Sequence, residues 1–144
     1  MIRKYENEDI DAVISSWRAA SELAHPFLSQ AFLDQEADNV RNVYMAYAET
    51  WVCVAHDRVV GFIALIDSEV GGLFVDPGFH GQGLGRALVD KAVAEKGALS
   101  VAVFEKNVIG RRFYDAYGFC GADTSPHESS GQTTVHMTYT PKNR

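Results

Sequence analysis

Apolar residues change their spacing several times along this chain, and each change marks an element. Ile10, Val13, Ile14 and Trp17 recur every three or four positions, which predicts an amphipathic helix. Asn7 is placed to cap it, with Glu8 and Asp9 in the first turn, where the helix dipole favours negative charge. His25-Pro26 ends it, because the residue before a proline is pushed out of the helical region. Ser29 can cap a second helix whose inner face carries Phe32, Leu33, Ala37, Val40, Tyr44 and Tyr47. Ahead of both helices, residues 2–5 read as a short strand. Beyond them come runs of strand formers at 51–55 and 59–66, joined by the polar connection His56-Asp57-Arg58, and then a shorter apolar run at 73–75.

The run Leu73-Phe74-Val75 is broken by Asp76-Pro77-Gly78, since proline cannot donate to a ladder and glycine permits a turn. Gly81, Gly83 and Gly85 follow at alternate positions, and Leu84, Ala87, Leu88 and Ala92 are spaced for one face of a helix. A strand, a glycine-rich loop and a helix start make a phosphate cradle. About four backbone N–H groups are unpaired at a helix N-terminus, the dipole adds partial positive charge, and glycines let a bulky anion approach. The Rossmann fingerprint fails here, because Arg86 or Leu88 stands where its third glycine or alanine belongs. A P-loop fails as well, because the chain contains no Gly-Lys pair. These two failures disfavour a nucleotide-binding regulator.

The helix after the cradle stops near Gly97. Residues 99–103 then form a strand parallel to 73–75, because a helix connects the two. Ile109, Phe113 and Ala116 suit the buried face of a further helix, closed by Gly118 before another strand at Phe119. Residues 123–131 are polar, with Pro126, Ser129 and Ser130, and read as an exposed loop before a closing strand at 133–139. The whole is an α/β sandwich on a mixed, mostly antiparallel sheet with helices on both faces.

Composition changes this picture little. A chain of 144 residues is expected to form one domain, 1–144, with a core that needs neither metal nor disulfide. The formal net charge of −6 argues against nucleic acid or an anionic membrane as partner, and weakly favours a cationic substrate through steering. No apolar run approaches the length of a membrane span, and residues 1–5 have no signal-peptide core. Cys53 and Cys120 suit reduced thiols in a cytoplasmic protein, although the sequence also leaves a disulfide between them open. His56, His127 and His136 have no metal-ligand spacing with the cysteines or one another, so no metal site is expected.

Two stretches resemble the GNAT N-acetyltransferase family. Its acyl-CoA signature, Arg/Gln-x-x-Gly-x-Gly/Ala, is matched by His80-Gly81-Gln82-Gly83-Leu84-Gly85 followed by Arg86, with His80 in place of Arg or Gln. Its second pattern, Asn-x-x-Ala-x-x-Phe/Leu-Tyr-x-x-x-Gly-Phe, is matched at Asn107, Phe113, Tyr114, Gly118 and Phe119, with Gly110 in place of alanine. His25-Pro26-Phe27-Leu28 is similar to a segment between the first two helices of small stand-alone bacterial members.

The resemblance implies acetyl-CoA as cosubstrate and direct transfer to a primary amine on a small molecule or peptide, by a monomer or homodimer. Backbone N–H groups from residue 81 to Arg86 would hold the pyrophosphate. The pantetheine arm would pair with the backbone of Phe74 and Val75 where the sheet splays after Val75. A backbone N–H near Val75 would stabilise the thioester oxygen. Asn107 would orient the cofactor arm, and Tyr114 would protonate the departing thiolate. Two groups are candidates for the base: Glu69 at the start of the cradle strand, and His25 in a loop expected to wall the acceptor pocket. Specificity is expected from residues 17–32, including Trp17, Phe27 and Phe32, and from the 123–131 loop. A CoA-binding sensor without catalysis is the competing expectation; it would keep the cradle and need neither acid nor base.

Overall fold

Among the described residues seven strands form one sheet in the order β1-β2-β3-β4-β5-β7-β6. They are β1 (Ile2–Lys4), β2 (Glu49–Ala55), β3 (Arg58–Ile66), β4 (Glu69–Val75), β5 (Leu99–Phe104), β6 (Cys120–Pro126) and β7 (Thr133–Tyr139). The longer helices α1 (Ile10–Ala24), α2 (Gln30–Asn39), α3 (Leu84–Lys96) and α4 (Val108–Tyr117) cover its two faces. The computed structural model describes residues 1–141. All pairings are antiparallel except β4 with β5.

Period-two alternation divides the sheet's side chains between two cores. Val52, Phe62 and Ala64 face α1 and α2, where Val13, Trp17 and Leu33 meet them. Trp51, Ile63, Leu65 and Val70 face the other way, onto Leu88, Val89 and Ala92 of α3 and Tyr114 of α4. Cys53 is buried, Cys120 is exposed, and both are free thiols.

Four local expectations shift. The first helix is preceded by a 3-10 turn at Asn7–Asp9, so α1 begins at Ile10 and Asn7 is not its cap. Asp9 is drawn inward instead. Its carboxylate accepts from Arg3 at 2.8 and 2.9 Å and from the Glu6 backbone N–H at 2.8 Å, and these bonds hold its pKa below the usual range. Tyr47, expected on the inner face of the second helix, is 79% exposed. A π-helical stretch at Val40–Tyr44 changes the phase of that helix before its last turn, Met45–Tyr47. In α4 the packed residues are Phe113, Tyr114 and Tyr117, while Ala116 and Ile109 are exposed. Finally, the first four residues of the expected 123–131 loop, 123–126, belong to strand β6 and pair with β7, and only the remainder connects the two strands. β6 is polar because it is the exposed edge strand, the one place in a sheet where proline is tolerated.

The feature that shapes the molecule lies in β4. Its parallel pairing with β5 covers only Glu69 with Ser100 and Val70 with Val101, and beyond these the strands part. The sheet therefore opens at Gly71, not after Val75 as expected from the Asp76-Pro77 break. The register against β3 also slips there: Leu65 lies opposite Val70, but Ala64 lies opposite Gly72, which leaves Gly71 as the extra residue of a β-bulge. Glycine is required at this point. The place a Cβ would take on Gly71 is filled by the hydroxyl of Tyr44, carried in by the π-helical stretch.

That hydroxyl is buried with no hydrogen-bond partner among the described residues. Gly71→Ala should therefore cost about 1–3 kcal/mol in urea unfolding, the scale of an overpacked site. Tyr44→Phe should be neutral or stabilising, since it removes an unpartnered polar group, and should relieve much of the Gly71→Ala cost. Strictly additive costs in this double-mutant cycle would contradict the wedge.

Candidate active site

Where β4 and β5 diverge, the sheet encloses a cavity of about 810 Å³ that runs from the cradle to α1 and α2. The β4 backbone along this opening is set by hydrogen-bond alternation. The Asp76 N–H donates to Val60 O at 2.8 Å, and Phe74 is paired with Phe62 two positions earlier in the same phase. The N–H and C=O of Phe74 are thus turned toward β3, and those of Leu73 and Val75 toward the opening. Phe74, expected to offer its backbone, lines the cavity with its ring instead, and Leu73 takes the expected backbone position. The bulge makes this exchange: one extra residue at Gly71 moves the outward-facing phase from even to odd positions.

After β4 the chain turns through Pro77–Phe79, with the Asp76 carboxylate accepting from the Gly78 N–H at 2.9 Å. His80 Nε2 donates to Val75 O at 2.8 Å, tying the loop back to the end of the strand. Gly81 and Gly83 both have φ of +80°, a left-handed conformation that only glycine adopts without cost, and Gly83 is the N-cap of α3. No heavy atom lies within 4 Å of a Cβ position on either one, so the loop faces open space. Gln82 and Arg86 are exposed beside it, and the Arg86 guanidinium lies 5.0 Å from the Tyr117 ring centre. Leu84 and Gly85 begin the helix, where Gly85 allows Phe113 of α4 to pack close. Backbone donors, a helix N-terminus and one arginine at this end of the cavity are groups of the kind that suit a polyphosphate.

Asn107 and Tyr114, both on or capping α4, are buried and line the cavity from the β5 side. Asn107 caps its helix by accepting from the Gly110 N–H at 2.8 Å. A Cβ on residue 110 would stand 2.5 Å from the Asn107 amide nitrogen, which is why glycine rather than alanine suits the position. Burial alone pushes the Tyr114 pKa well up, so this phenol holds its proton at neutral pH. Its ring is set by Phe113 and Phe119, with centres 5.4 and 5.1 Å away.

His25 is not in an open loop wall. It is 7% exposed and sits in the mouth of the strand opening, with the rings of Phe27, Phe74 and Phe104 centred 5.6, 6.4 and 4.9 Å from its own. Its Nε2 accepts from the Asn107 amide at 3.1 Å. The direction is fixed, because the Asn107 oxygen is already used by the Gly110 N–H. Burial lowers the His25 pKa from 6.5 to about 4. A general base near neutral pH needs a free lone pair and a higher pKa, so the structure argues against that role for His25.

Glu69, the other candidate base, is exposed next to the last β4–β5 pair. Its charge acts on the Tyr44 hydroxyl, whose pKa is raised by burial first and by Glu69 second. Trp17 and Phe32 line the cavity as expected, whereas Phe27 packs against Phe104 and His25. Sequence reasoning missed the parts played by Leu73, Tyr44 and the Glu36 carboxylate of α2 in lining the cavity, whereas Glu128, which also lines it, falls within the 123–131 segment expected to set specificity. Only the Gly71-Gly72 pair inside a strand signalled the bulge. Among the described residues no three His, Cys, Asp or Glu side chains gather as a metal-ligand set, and no helix is long and apolar enough to cross a membrane.

The His25 environment has a stability signature. The unfolded state takes up a proton below pH 6.5 and the folded state only near pH 4, so this stabilising contribution is present above 6.5 and lost as pH falls toward 4. Comparing wild type with His25→Phe in urea at pH 7 and pH 4, wild type should lose about 3 kcal/mol more than the variant. An equal loss in both would contradict a buried neutral imidazole.

Residues 46–120, from the end of the second helix to the start of β6, match the family model of the acetyltransferase (GNAT) domain. Over 119 residues, 82% of this chain and 81% of the relative, the sequence is 34% identical to peptidyl-lysine N-acetyltransferase YjaB of Salmonella typhimurium. It is 28% identical over 140 residues to peptidyl-lysine N-acetyltransferase YiaC of Escherichia coli, with 96% of each chain covered. The solution structure of apo-form YjaB from Escherichia coli has a TM-score of 0.87 to this fold, at 29% identity and 96% coverage of both chains. The matched residues include β4, the cradle, β5 and α4, which build one side of the cleft, while α1 and α2 on the other side lie outside the match. By sequence and by fold alike, the chain belongs to the GNAT acetyltransferase family.

Proposed function

We propose that this chain, acting as one domain, is an acetyl-CoA-dependent N-acetyltransferase whose acceptor is the side-chain amine of a lysine in a peptide or protein. The observation that carries this reading is the opening of the sheet at Gly71, which leaves the β4 edge unpaired and leads straight into the glycine cradle at the start of α3. Free thiols at Cys53 and Cys120 suit a reducing compartment, so we place the activity in the cytoplasm.

The residues divide the work along the cavity. N–H groups from residue 81 to Arg86 bind the pyrophosphate, with the positive end of the α3 dipole behind them. Leu73 and Val75 offer main-chain groups to the amides of the pantetheine arm, as one strand does to another. A Val75 N–H aimed into the opening is placed to stabilise negative charge on the thioester oxygen. Tyr114, neutral at the working pH, gives its proton to the departing sulfur. Its raised pKa suits the desolvated site, where a thiolate is also disfavoured and shares the proton readily. Glu69, at the exposed vertex of the opening, takes the ammonium proton through water and passes it to solvent.

At the far end the walls carry Glu36 and Glu128, while the cradle end carries Arg86. This polarity supports a cationic acceptor entering opposite an anionic donor. The curated relatives named as peptidyl-lysine N-acetyltransferases support the lysine acceptor.

Acetylation of lysine-containing peptides, followed by mass spectrometry, tests the acceptor class. Tyr114→Phe should lower the single-turnover rate by roughly 10²–10⁴-fold while acetyl-CoA affinity changes little. Transfer to lysine by the wild type at a rate unaltered in Tyr114→Phe would remove the tyrosine from the mechanism. Transfer to small amines alone would overturn the acceptor assignment.

A further inference from the structure

The His25–Asn107 pair has a consequence beyond the exclusion of His25 as a base. The Gly110 N–H fixes which end of the Asn107 amide is oxygen, and the amide nitrogen then donates to His25 Nε2. A neutral imidazole with its lone pair on Nε2 must carry its proton on Nδ1. Among the described residues nothing hydrogen-bonds Nδ1, which is not fully buried, and His25 lines the cavity.

The setting is otherwise apolar. Phe27, Phe74 and Phe104 surround the ring, and Phe74 and Phe104 come from the two strands that part. A single N–H held in an aromatic wall, at the mouth of a cleft whose strand edge is unpaired, has no protein acceptor to satisfy it. A buried or half-buried donor of this kind gains most from a carbonyl oxygen that arrives with a ligand.

We propose that His25, locked by Asn107 as the Nδ1–H tautomer, is a cosubstrate-binding residue that donates a hydrogen bond to a carbonyl oxygen of the acyl-pantetheine arm in the β4–β5 opening. Asn107 is then a positioning residue, acting through the imidazole as well as capping α4. Gly110 belongs to the same device, because a methyl group there would crowd the Asn107 amide and turn it from His25. The role complements that of Leu73 and Val75: the strand edge serves one side of the arm and the imidazole another. This assignment rests on the acetyl-CoA reading above, and the test separates the two.

The measurement is nitrogen–proton NMR of full-length protein carrying 15N-labelled histidine, with and without CoA or acetyl-CoA, alongside calorimetry of wild type and His25→Phe. In free wild type, His25 should show a protonated Nδ1 and an unprotonated Nε2. Ligand should shift the Nδ1–H signal strongly while those of His56 and His136 stay in place. His25→Phe should weaken binding about tenfold, the scale of one hydrogen bond. Equal weakening for CoA and acetyl-CoA assigns the bond to a pantetheine amide, and weakening for acetyl-CoA alone assigns it to the thioester oxygen. Either result supports the proposal. An Nε2-protonated tautomer overturns it without recourse to any variant. Wild type that binds CoA with an unmoved His25 signal also overturns it, and leaves the acetyl-CoA reading standing. Wild type that binds neither ligand overturns the acetyl-CoA reading, and this assignment with it.

Discussion

Two parallel strands that stop pairing after two residue pairs are the constraint on which this structure turns. Inside a sheet each strand needs partners on both edges, because a buried backbone N–H or C=O without one costs as much as a lost hydrogen bond. β4 has β3 on one side throughout, but on the other it has β5 only as far as Val70. The remaining edge can persist only where it meets solvent, side chains or a ligand with amide groups of its own. Part of it is already satisfied, since His80 returns from the cradle to donate to Val75 O. What is left, chiefly the groups of Leu73 and the Val75 N–H, faces the cavity. The bulge at Gly71 both opens the sheet and selects which residues face outward, and the Tyr44 hydroxyl packed against that glycine holds the bend from the helical side.

The chemistry of the cleft follows from how its walls are made. The cradle end supplies main-chain donors at a helix start and one guanidinium, all suited to phosphate. The middle is aromatic and nearly free of charge, which keeps His25 neutral and pushes the Tyr114 pKa up. At neutral pH the phenol keeps its proton and the imidazole stays neutral, so each can act as a hydrogen-bond donor there. The opposite end has Glu36 and Glu128. Such an arrangement puts basic, apolar and acidic groups in one continuous cavity.

Much of this was legible in the residues. Glycines alternating after an apolar run located the cradle, because left-handed backbone at residues 81 and 83 leaves few other choices. The Asn107 to Phe119 pattern placed the buried tyrosine. The helix phases around Tyr47 were not legible, because nothing in the spacing announces a π-helical stretch. A strand after Gly118 was expected, but the second half of β6 could not be told from a loop, since an edge strand exposed on both faces has a loop's composition. The exchange of Phe74 for Leu73 on the open edge was hidden for a similar reason. A bulge changes the phase of alternation without changing the apolar run, and only the register against β3 reveals it. His25 was singled out as titratable, but the hydrogen bond that fixes its tautomer comes from a residue far away in sequence.

The most direct test of the cleft is residue-resolved amide hydrogen exchange on β4, in the presence and absence of CoA. Phe74, paired with β3, should be protected in both states. Leu73 and Val75, facing the opening, should exchange faster in the free protein and slow markedly with ligand. Protection that appears only in the loop after β4, with Leu73 and Val75 unchanged, would contradict the account, because the unpaired strand edge would then have no part in holding the cosubstrate.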